Sequence, residues 1–372
     1  MSARRGFTGP GQTTRRALLG TALAAPLGSP ALSQPSTAAT VNFVGWTGTE
    51  AIQAAVRDQI ARFTLASGLR VAHQQFPWTN YRMSLLARLI SQGPADVVWL
   101  SDAWLPEFVE SNWISPIGDI AALTRFNPDS QASCVEADSY RGRQYGLPYY
   151  RDCMAFFYNA RMLDEAGISE PPRSWAELVQ QAQLIKARGL SAAPLGIPLA
   201  ADPWLIEVIS TLVFSFGGQF VNAARRPVMA EQPQTRMALS FLADAILRER
   251  IMLPDAVQHS EAELMQDFGD GQHAFAILPS YRMRYLNDPS RFARARSFRL
   301  ALMPNGGDAQ GHATCGWVRL YAMTGGAAAN PQRRANAISF MESFGGRDDS
   351  GNYAMAKRLL LGAGLNGCQI PL

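Results

Sequence analysis

The amino-acid sequence predicts an α/β fold, in which strands and helices alternate along the chain. Apolar, β-rich runs such as VNFVGW at 41–46 and ADVVWL at 95–100 are followed by segments whose apolar residues recur with helical spacing. The chain has 372 residues, of which 47% are hydrophobic and 17% charged, so it is long enough for two domain-sized cores. Alternation of this kind favours a largely parallel sheet.

The first elements follow strand–helix order from residue 41 onward. The first helix is predicted because Ile52, Val56, Ile60 and Phe63 share one helical face. The predicted elements are a strand at 41–46, a helix at 50–66, a strand at 69–73, a helix at 81–90, a strand at 95–100 and a helix from about 104.

The second half of the chain carries clear helix start and stop signals. Ser174 and Glu177 have the spacing of a capping box, and Asn330-Pro331 has the order of an N-cap and first helical residue. Helices are predicted from 174 to 189, 203 to 216 and 234 to 250, and from 331; strands are predicted in HAFAILPSY, FRLALMP and GWVRLYAM.

The N-terminus has the pattern of an export signal. Arg15 and Arg16 precede a short apolar run, 17–27, and small residues and prolines follow. The order Thr-Arg-Arg-x-Leu-Leu is typical of a bacterial twin-arginine signal, which exports folded proteins. We expect a signal peptide over residues 1–33, with cleavage near Ser33. The alternative is a basic tail.

Removal of that signal changes the charge balance. The whole chain has 34 basic and 30 acidic residues, and residues 1–33 contain four arginines and no acid. The mature net charge is therefore 34 − 4 − 30 = 0, which gives no support for nucleic-acid binding. No run approaches the ~20 apolar residues that a membrane span needs.

The sequence lacks the motifs of several common nucleotide-binding, catalytic and metal-binding sites. Neither of the two lysines, Lys186 and Lys357, follows a glycine, so a P-loop is excluded. There is no HExxH, no GxSxG and no CxxC, and the four histidines are scattered. We therefore expect no cofactor and no metal. Paired catalytic carboxylates, as in a glycoside hydrolase, need no fixed spacing, so the sequence does not exclude them. Nor does it determine which cysteines form disulfides.

One apolar run contains two adjacent charges. In YGLPYYRDCMAFFYNARML, at 145–163, Arg151 and Asp152 interrupt a stretch that otherwise reads as a buried strand. Charged side chains are seldom buried unless they are paired or functional. They therefore mark either a binding site or a structural ion pair.

Five segments, taken together, resemble bacterial extracellular solute-binding proteins of family 1, the maltose-binding-protein-like receptors of ABC importers. The most specific segment is GLPYY…FFYNARMLDEAGI…PPRSWAEL; the others are VNFVGWTGTE, GPADVVWLSDAWLPEFVESNWISPIGD, FGDGQHAFAILPSYRM and LALMPNGG…GWVRLYAMT…NPQRRANAISFMESF. They occur in family order and cover almost all of the mature chain.

The resemblance implies a two-lobe, type II periplasmic-binding-protein-like fold, with the ligand cleft at the interlobe hinge. It places the first crossing between lobes just after Pro148. We expect lobe I to comprise 41–150 and 279–312, and lobe II 151–278 and 313–372. Arg151 and Asp152 would then lie at the floor of the cleft.

Aromatic and polar residues near predicted strand ends are candidate ligand contacts, because sugars need flat apolar platforms and hydrogen-bonding side chains. The resemblance implies Asp202 and Trp204 in the second lobe, and Tyr281 after the second crossing, as further contacts. Each has a structural alternative: an aromatic could belong to the core, and Thr47, Asp102 or Asp202 could cap a helix. The predicted ligand-binding residues are Trp46, Thr47, Tyr81, Asp102, Trp104, Arg151, Asp152, Asp202, Trp204, Tyr281 and Trp317.

The resemblance implies a monomeric periplasmic receptor that closes on a small neutral solute, a sugar or polyol, and presents it to the membrane permease subunits of an ABC importer. It implies no enzyme activity. Because Arg151 and Arg282 are positively charged, an anionic solute is an alternative. The competing classes are an exported glycoside hydrolase, which would turn over an oligosaccharide, and a two-lobed sensor subunit.

The signal assignment predicts the result of a charge-conserving substitution. Replacing Arg15 and Arg16 by Lys should leave the precursor in the cytoplasm, because the twin-arginine route reads the pair as an address and not as charge. Cell fractionation followed by immunoblotting measures this. Normal export of the double variant would show that the general secretory route suffices.

Overall fold

A computed structural model of the chain describes residues 39–124, 132–224, 226–306, 309–346 and 353–364. The predicted export signal and its cleavage site near Ser33 lie outside these residues. The strands are β1 (Thr40–Trp46), β2 (Arg70–Phe76), β3 (Val97–Ser101), β4 (Ser139–Tyr140), β5 (Arg143–Gln144), β6 (Gly146–Asn159), β7 (Leu195–Gly196), β8 (Phe275–Pro279), β9 (Phe298–Ala301) and β10 (Gly316–Met323).

Helices separate most of the strands, so the fold is α/β as predicted. The helices are α1 (Glu50–Ser67), α2 (Trp78–Ile90), α3 (Leu105–Glu110), α4 (Ala121–Thr124), α5 (Ala132–Ala137), α6 (Ala160–Glu165), α7 (Trp175–Ala187), α8 (Leu205–Ser215), α9 (Pro233–Leu247), α10 (Glu261–Gly269), α11 (Arg282–Leu286), α12 (Gly325–Ala328), α13 (Pro331–Gly345) and α14 (Ala354–Ala363). Within the described part of the chain, none is long and apolar enough to cross a membrane.

Two helices begin at the capping residues that the sequence predicts. The Ser174 hydroxyl accepts a hydrogen bond from the Glu177 N–H, and the Glu177 carboxylate accepts one from the Ser174 N–H, so α7 begins with a capping box. Asn330 caps α13 through its side-chain oxygen, with Pro331 as the first helical residue.

Eight strands form one continuous sheet in the order β2-β1-β3-β10-β6-β8-β7, with β9 also paired to β6, and β4 and β5 form a separate antiparallel pair. Pairing is parallel at β1–β2, β1–β3 and β7–β8, and antiparallel wherever β6 or β10 takes part. The expectation of a largely parallel sheet is therefore wrong. Two long strands that run in opposite directions occupy its centre, and each contacts both halves of the molecule.

Two hydrophobic cores lie along this sheet and define two lobes. The first contains the buried faces of β1 and β3 and continues through Tyr150 on β6. The second begins at Met154 on the same strand and includes Phe156, Trp175 and Phe275. A smaller cluster around Phe157 and Phe268 extends the second lobe. β6 therefore passes from one lobe to the other within four residues.

The packing differs from the predicted division in two segments. Phe292 and Phe298 pack in the second lobe, because β9 pairs with the second-lobe half of β6. Phe340 and Met355 pack in the first lobe. The chain returns to the first lobe along β10, between Trp317 and Val318. The described residues within 282–317 therefore belong with the second lobe, and those within 318–359 with the first.

The cysteines differ from one another in bonding state. Cys134 is disulfide-bonded, whereas Cys153 and Cys315 are free thiols. Cys368 lies outside the described residues.

Matched substitutions test this division of the chain. Phe298→Ala and Phe340→Ala each remove a fully buried ring and should each cost roughly 3–5 kcal/mol of local stability. We expect Phe298→Ala to accelerate amide hydrogen exchange in α10 and β8, and Phe340→Ala to accelerate it in β1 and β3. Faster exchange of β1 in the Phe298 variant would contradict the division.

Candidate ligand cleft

A cavity of about 450 Å³ opens between the two lobes. This volume lies within the roughly 300–1,000 Å³ typical of small-molecule sites. The first lobe, the second lobe and the segments that join them all contribute to its lining. The lining side chains that carry the argument are Trp46, Thr47 and Trp78 from the first lobe, Asp202, Trp204 and Glu261 from the second, and Tyr150, Tyr281, Arg282 and Arg319 from the joining segments.

The first-lobe wall of the cavity is formed where β1 ends and α2 begins. Trp46 is the last residue of β1 and packs edge-on against Trp78, with ring centroids 5.3 Å apart. Thr47 is exposed in the cavity and does not cap α1. The cap is Thr49, whose hydroxyl accepts a hydrogen bond from the Ile52 N–H. This leaves the Thr47 hydroxyl available to a ligand.

The second-lobe wall comes from the turn before α8 and the start of α10. The Asp202 carboxylate accepts a hydrogen bond from the Trp204 N–H at 2.8 Å, which fixes the turn and directs the indole into the cavity. Burial raises the pKa of Asp202. The Leu205 N–H also hydrogen-bonds to this carboxylate. Asp202 lines the cavity, and a carboxylate there can accept a hydrogen bond from a ligand hydroxyl.

Glu261 and Arg282 form a bidentate ion pair beside this turn. The guanidinium donates to both carboxylate oxygens at 2.6 and 2.5 Å. It also lies 5.0 Å from the centroid of the Tyr281 ring. Arg282 thus has its charge compensated inside the protein and holds the Tyr281 ring in place.

Arg319 lies at the floor of the cavity and was not predicted as a site residue. Only 1% of it is exposed, and it lies on β10. Its guanidinium donates to the Ser101 hydroxyl at 2.7 Å and to Glu207 at 3.3 Å, and it lies 4.8 Å from the centroid of the Trp78 ring. The sequence did contain a signal, an arginine in the middle of the apolar strand GWVRLYAM.

Asp152 joins two chain segments at the hinge. Its carboxylate accepts hydrogen bonds from the Ser280 hydroxyl, from the Cys153 N–H at 2.8 Å and from the Tyr281 N–H at 3.4 Å. Ser280 and Tyr281 directly follow β8, so the buried carboxylate ties that turn to β6. Arg151, its neighbour on β6, is half-buried opposite Val318 of β10. Neither residue contributes to the lining of the cavity.

Four other predicted contacts lie outside the cavity lining. Tyr81 is fully buried, and its hydroxyl donates to the carbonyl oxygens of Trp99 and Val44. Trp104 stacks behind Trp78, with centroids 5.3 Å apart. We therefore reassign Tyr81 to the core of the first lobe and Trp104 to support of the Trp78 ring.

The remaining two, Asp102 and Trp317, lie behind Arg319. Asp102 accepts hydrogen bonds from the Ala103 N–H and from the Val318 N–H of β10, both at 2.9 Å. Trp317 is 4% exposed, in the core of the second lobe. The position of both residues beside a strand end predicted that they lie near the cleft. The sequence did not predict that their side chains point away from the cavity.

The described residues contain no cluster of three or more His, Cys, Asp or Glu side chains arranged to hold a metal ion. The cleft provides aromatic faces, hydroxyl groups, two carboxylates and two arginines that are already paired, one of them with the second carboxylate. These groups suit hydrogen bonding and stacking.

Two lobes joined by crossing strands, with a cavity at the crossing, are the architecture of a two-lobed binding protein, and the predicted type II fold is confirmed by its structural neighbours. Residues 45–341 match the family model of bacterial extracellular solute-binding proteins, and the chain belongs to this family. Its sequence is 26% identical over 158 residues to the maltotriose-binding protein of Pyrococcus abyssi, a match that covers 42% of this chain and 32% of that protein. The matches span only about a third of the curated relatives' length.

Solved structures show the same fold. The maltose-bound MalE3 of T. maritima superposes with a TM-score of 0.77 at 18% identity, covering 89% of this chain and 82% of that one. A mannitol-bound solute-binding protein from Agrobacterium vitis superposes with a TM-score of 0.70 at 17% identity, covering 87% and 75%. At these identities the likeness concerns the fold.

The environment of Asp152 predicts a pH dependence. Burial raises the pKa of its carboxyl from 3.8 to about 6, although the three hydrogen-bond donors act in the opposite direction. The folded protein therefore holds this proton more tightly than the unfolded chain does. The protonated carboxyl therefore contributes to the stability of the fold. This contribution is fully present below about pH 4 and is lost as the pH rises through 6.

We expect the unfolding free energy of the wild type to fall by up to ~3 kcal/mol between pH 4 and 7 relative to Asp152→Asn. Urea unfolding of both proteins at several pH values measures this difference. If the two pH profiles are parallel, the carboxyl does not titrate in this range.

Proposed function

We propose that this protein is the exported, periplasmic substrate-binding component of an ABC importer and that it binds a neutral sugar or polyol by closing its lobes. The observation that carries the proposal is the composition of the cleft. Trp46, Trp78, Trp204 and Tyr281 contribute aromatic surface, and Thr47 and Asp202 contribute polar groups.

This combination suits a polyhydroxylated ligand. The C–H face of a sugar ring packs on an indole or phenol ring, and its hydroxyl groups both donate and accept hydrogen bonds. Asp202 accepts, and the Thr47 hydroxyl both donates and accepts. Because these groups come from opposite lobes, a ligand that contacts all of them stabilises the closed arrangement.

The charge balance of the cleft favours a neutral ligand over an anionic one. Arg282 is paired with Glu261, and Arg319 with Glu207, so both lining arginines have carboxylate partners. A phosphate or carboxylate ligand would have to compete with these carboxylates. A neutral ligand does not have to displace these carboxylates from the arginines.

The mechanism follows from the crossing strands. The ligand contacts both lobes only when they are closed, and its differential affinity for that state shifts the equilibrium towards closure. The closed form is then the one that membrane permease subunits would recognise. We propose that β6, β10 and the Ser280–Tyr281 turn absorb the motion, since the chain changes lobes there.

Binding and turnover assays separate this proposal from the enzyme alternative. Native mass spectrometry of the purified protein identifies any ligand that co-purifies, and calorimetry with sugars and polyols gives affinity and stoichiometry. A receptor binds one equivalent and releases it unchanged. Conversion of an oligosaccharide into shorter products would support the hydrolase instead.

Substitution of Tyr281 tests the cleft assignment. Tyr281→Ala should weaken ligand binding by roughly 1–3 kcal/mol, the effect of removing one aromatic contact face. Calorimetry measures this change. The matched control is Tyr285→Ala, which removes a ring that lies one helical turn away and contacts Arg282 and Arg291. Equal losses of affinity in the two variants would argue against the cleft as the site.

A further inference from the structure

The space between the lobes is divided into two cavities. The first is the cleft cavity of about 450 Å³ described above. The second, the rear cavity, has a volume of about 380 Å³ and also lies between the lobes; among its lining residues are Asp102, Glu136, Tyr140, Glu207, Cys315 and Trp317. The two cavities share no lining residue. Some set of side chains must therefore separate them.

Three indole rings span the gap between the lobes at this point. Trp204 of the second lobe approaches Trp78 of the first lobe, with ring centroids 6.0 Å apart. On its other side Trp204 meets Trp317 edge-on at 5.4 Å. Trp78 and Trp204 face the cleft cavity, whereas Trp317 faces the rear cavity.

The Arg319 guanidinium fills the space between two of these rings. It lies 4.8 Å from the centroid of Trp78 and 5.3 Å from that of Trp317. Its ion-pair partner Glu207 and its neighbour Asp102, 3.7 Å away, both line the rear cavity. Arg319 itself lines the cleft cavity. Together, Trp78, Trp204, Trp317 and Arg319 form a continuous barrier, which we call the wall.

The two cavities differ in what they offer. The cleft cavity has aromatic platforms from both lobes, whereas the rear cavity has carboxylates at Asp102, Glu136 and Glu207 and hydroxyl groups at Ser139 and Tyr140. Carboxylates accept hydrogen bonds from hydroxyl groups. A further sugar unit would therefore find partners in the rear cavity if the wall did not close the path.

We propose that the wall sets the length of the ligand. The cleft cavity takes a polyhydroxylated ligand of one or two sugar units, and Trp204, which projects across the gap from the second lobe, excludes a third unit from the rear cavity. A volume of about 450 Å³ is near the lower end of the range for ligand sites, in agreement with a short ligand. This inference rests on the proposed function, because it concerns the same site.

A length series tests the proposal by calorimetry. The probes are glucose, maltose, maltotriose and maltotetraose, the corresponding chito-oligosaccharides, and mannitol and ribitol. In the series that binds, we expect wild-type affinity to fall at least tenfold on addition of a third unit. Trp204→Ala should weaken binding of the shorter ligand by roughly tenfold, the factor that corresponds to about 1.4 kcal/mol, and should abolish the penalty for the third unit.

Tyr281→Ala is the matched control, because Tyr281 lines the cleft cavity but is not part of the wall. It should weaken all lengths by a similar factor and keep the penalty. If Trp204→Ala does not fold, as judged by its melting curve, Trp204→Leu keeps apolar surface at the start of α8 and still shortens the side chain.

The outcomes separate the two proposals. If the wild type binds the trisaccharide as tightly as the disaccharide, or if both Trp204 variants keep the length penalty, the wall does not limit length, although the receptor function stands. If the wild type binds none of the probes, the sugar or polyol assignment fails, and the length limit fails with it.

Discussion

The buried guanidinium of Arg319 is the interaction on which the centre of this molecule depends. Removing such a charge from water is costly unless nearby groups compensate it. Here Ser101 and Asp102 from the first lobe and Glu207 from the second all lie within 4 Å of it. Because one side chain is compensated from both lobes, separating the lobes changes its environment. In the proposed hinge closure, this charge would link the hinge to the cleft.

At Glu207, the cost of burying the charge and the attraction of the ion pair nearly cancel. Burial raises its pKa, although the Arg319 charge beside it acts in the opposite direction. Desolvation thus outweighs a direct ion pair for this carboxyl. A similar conflict holds at Asp152, where burial outweighs three hydrogen-bond donors and the more distant Arg319. Charged groups of this kind add little net stability.

The same geometry explains why aromatic residues concentrate at the cleft. Trp78 packs against Trp46 and Trp104 within the first lobe, at 5.3 Å in each case, and meets Trp204 across the gap at 6.0 Å. Large rigid rings keep their orientation with few rotatable bonds, so they provide a preformed surface at low cost in entropy. A ligand that displaces water from such a surface needs little rearrangement within either lobe.

The sequence by itself determined the features that depend on neighbours along the chain. The alternation of strands and helices, the capping box of Ser174 and Glu177, and the Asn330-Pro331 start of α13 were all predictable, because their partners lie within four residues. The family resemblance also extended over most of the chain and placed a change of lobe close to Pro148. The end of the first predicted strand indicated Trp46 and Thr47, and the resemblance indicated Asp202, Trp204 and Tyr281. The structure brings these five residues together around one cavity.

Only the tertiary structure decided which distant residues meet. Arg319 finds Ser101 and Glu207 at sequence separations of 218 and 112 residues, and no local pattern encodes such a pairing. The antiparallel centre of the sheet and the return of β10 and α13 to the first lobe depend in the same way on contacts between distant segments. So does the burial of Tyr81 against β1 and β3. Local propensity and periodicity specify which face of an element is apolar, but the packing partner of that face is set by the fold as a whole.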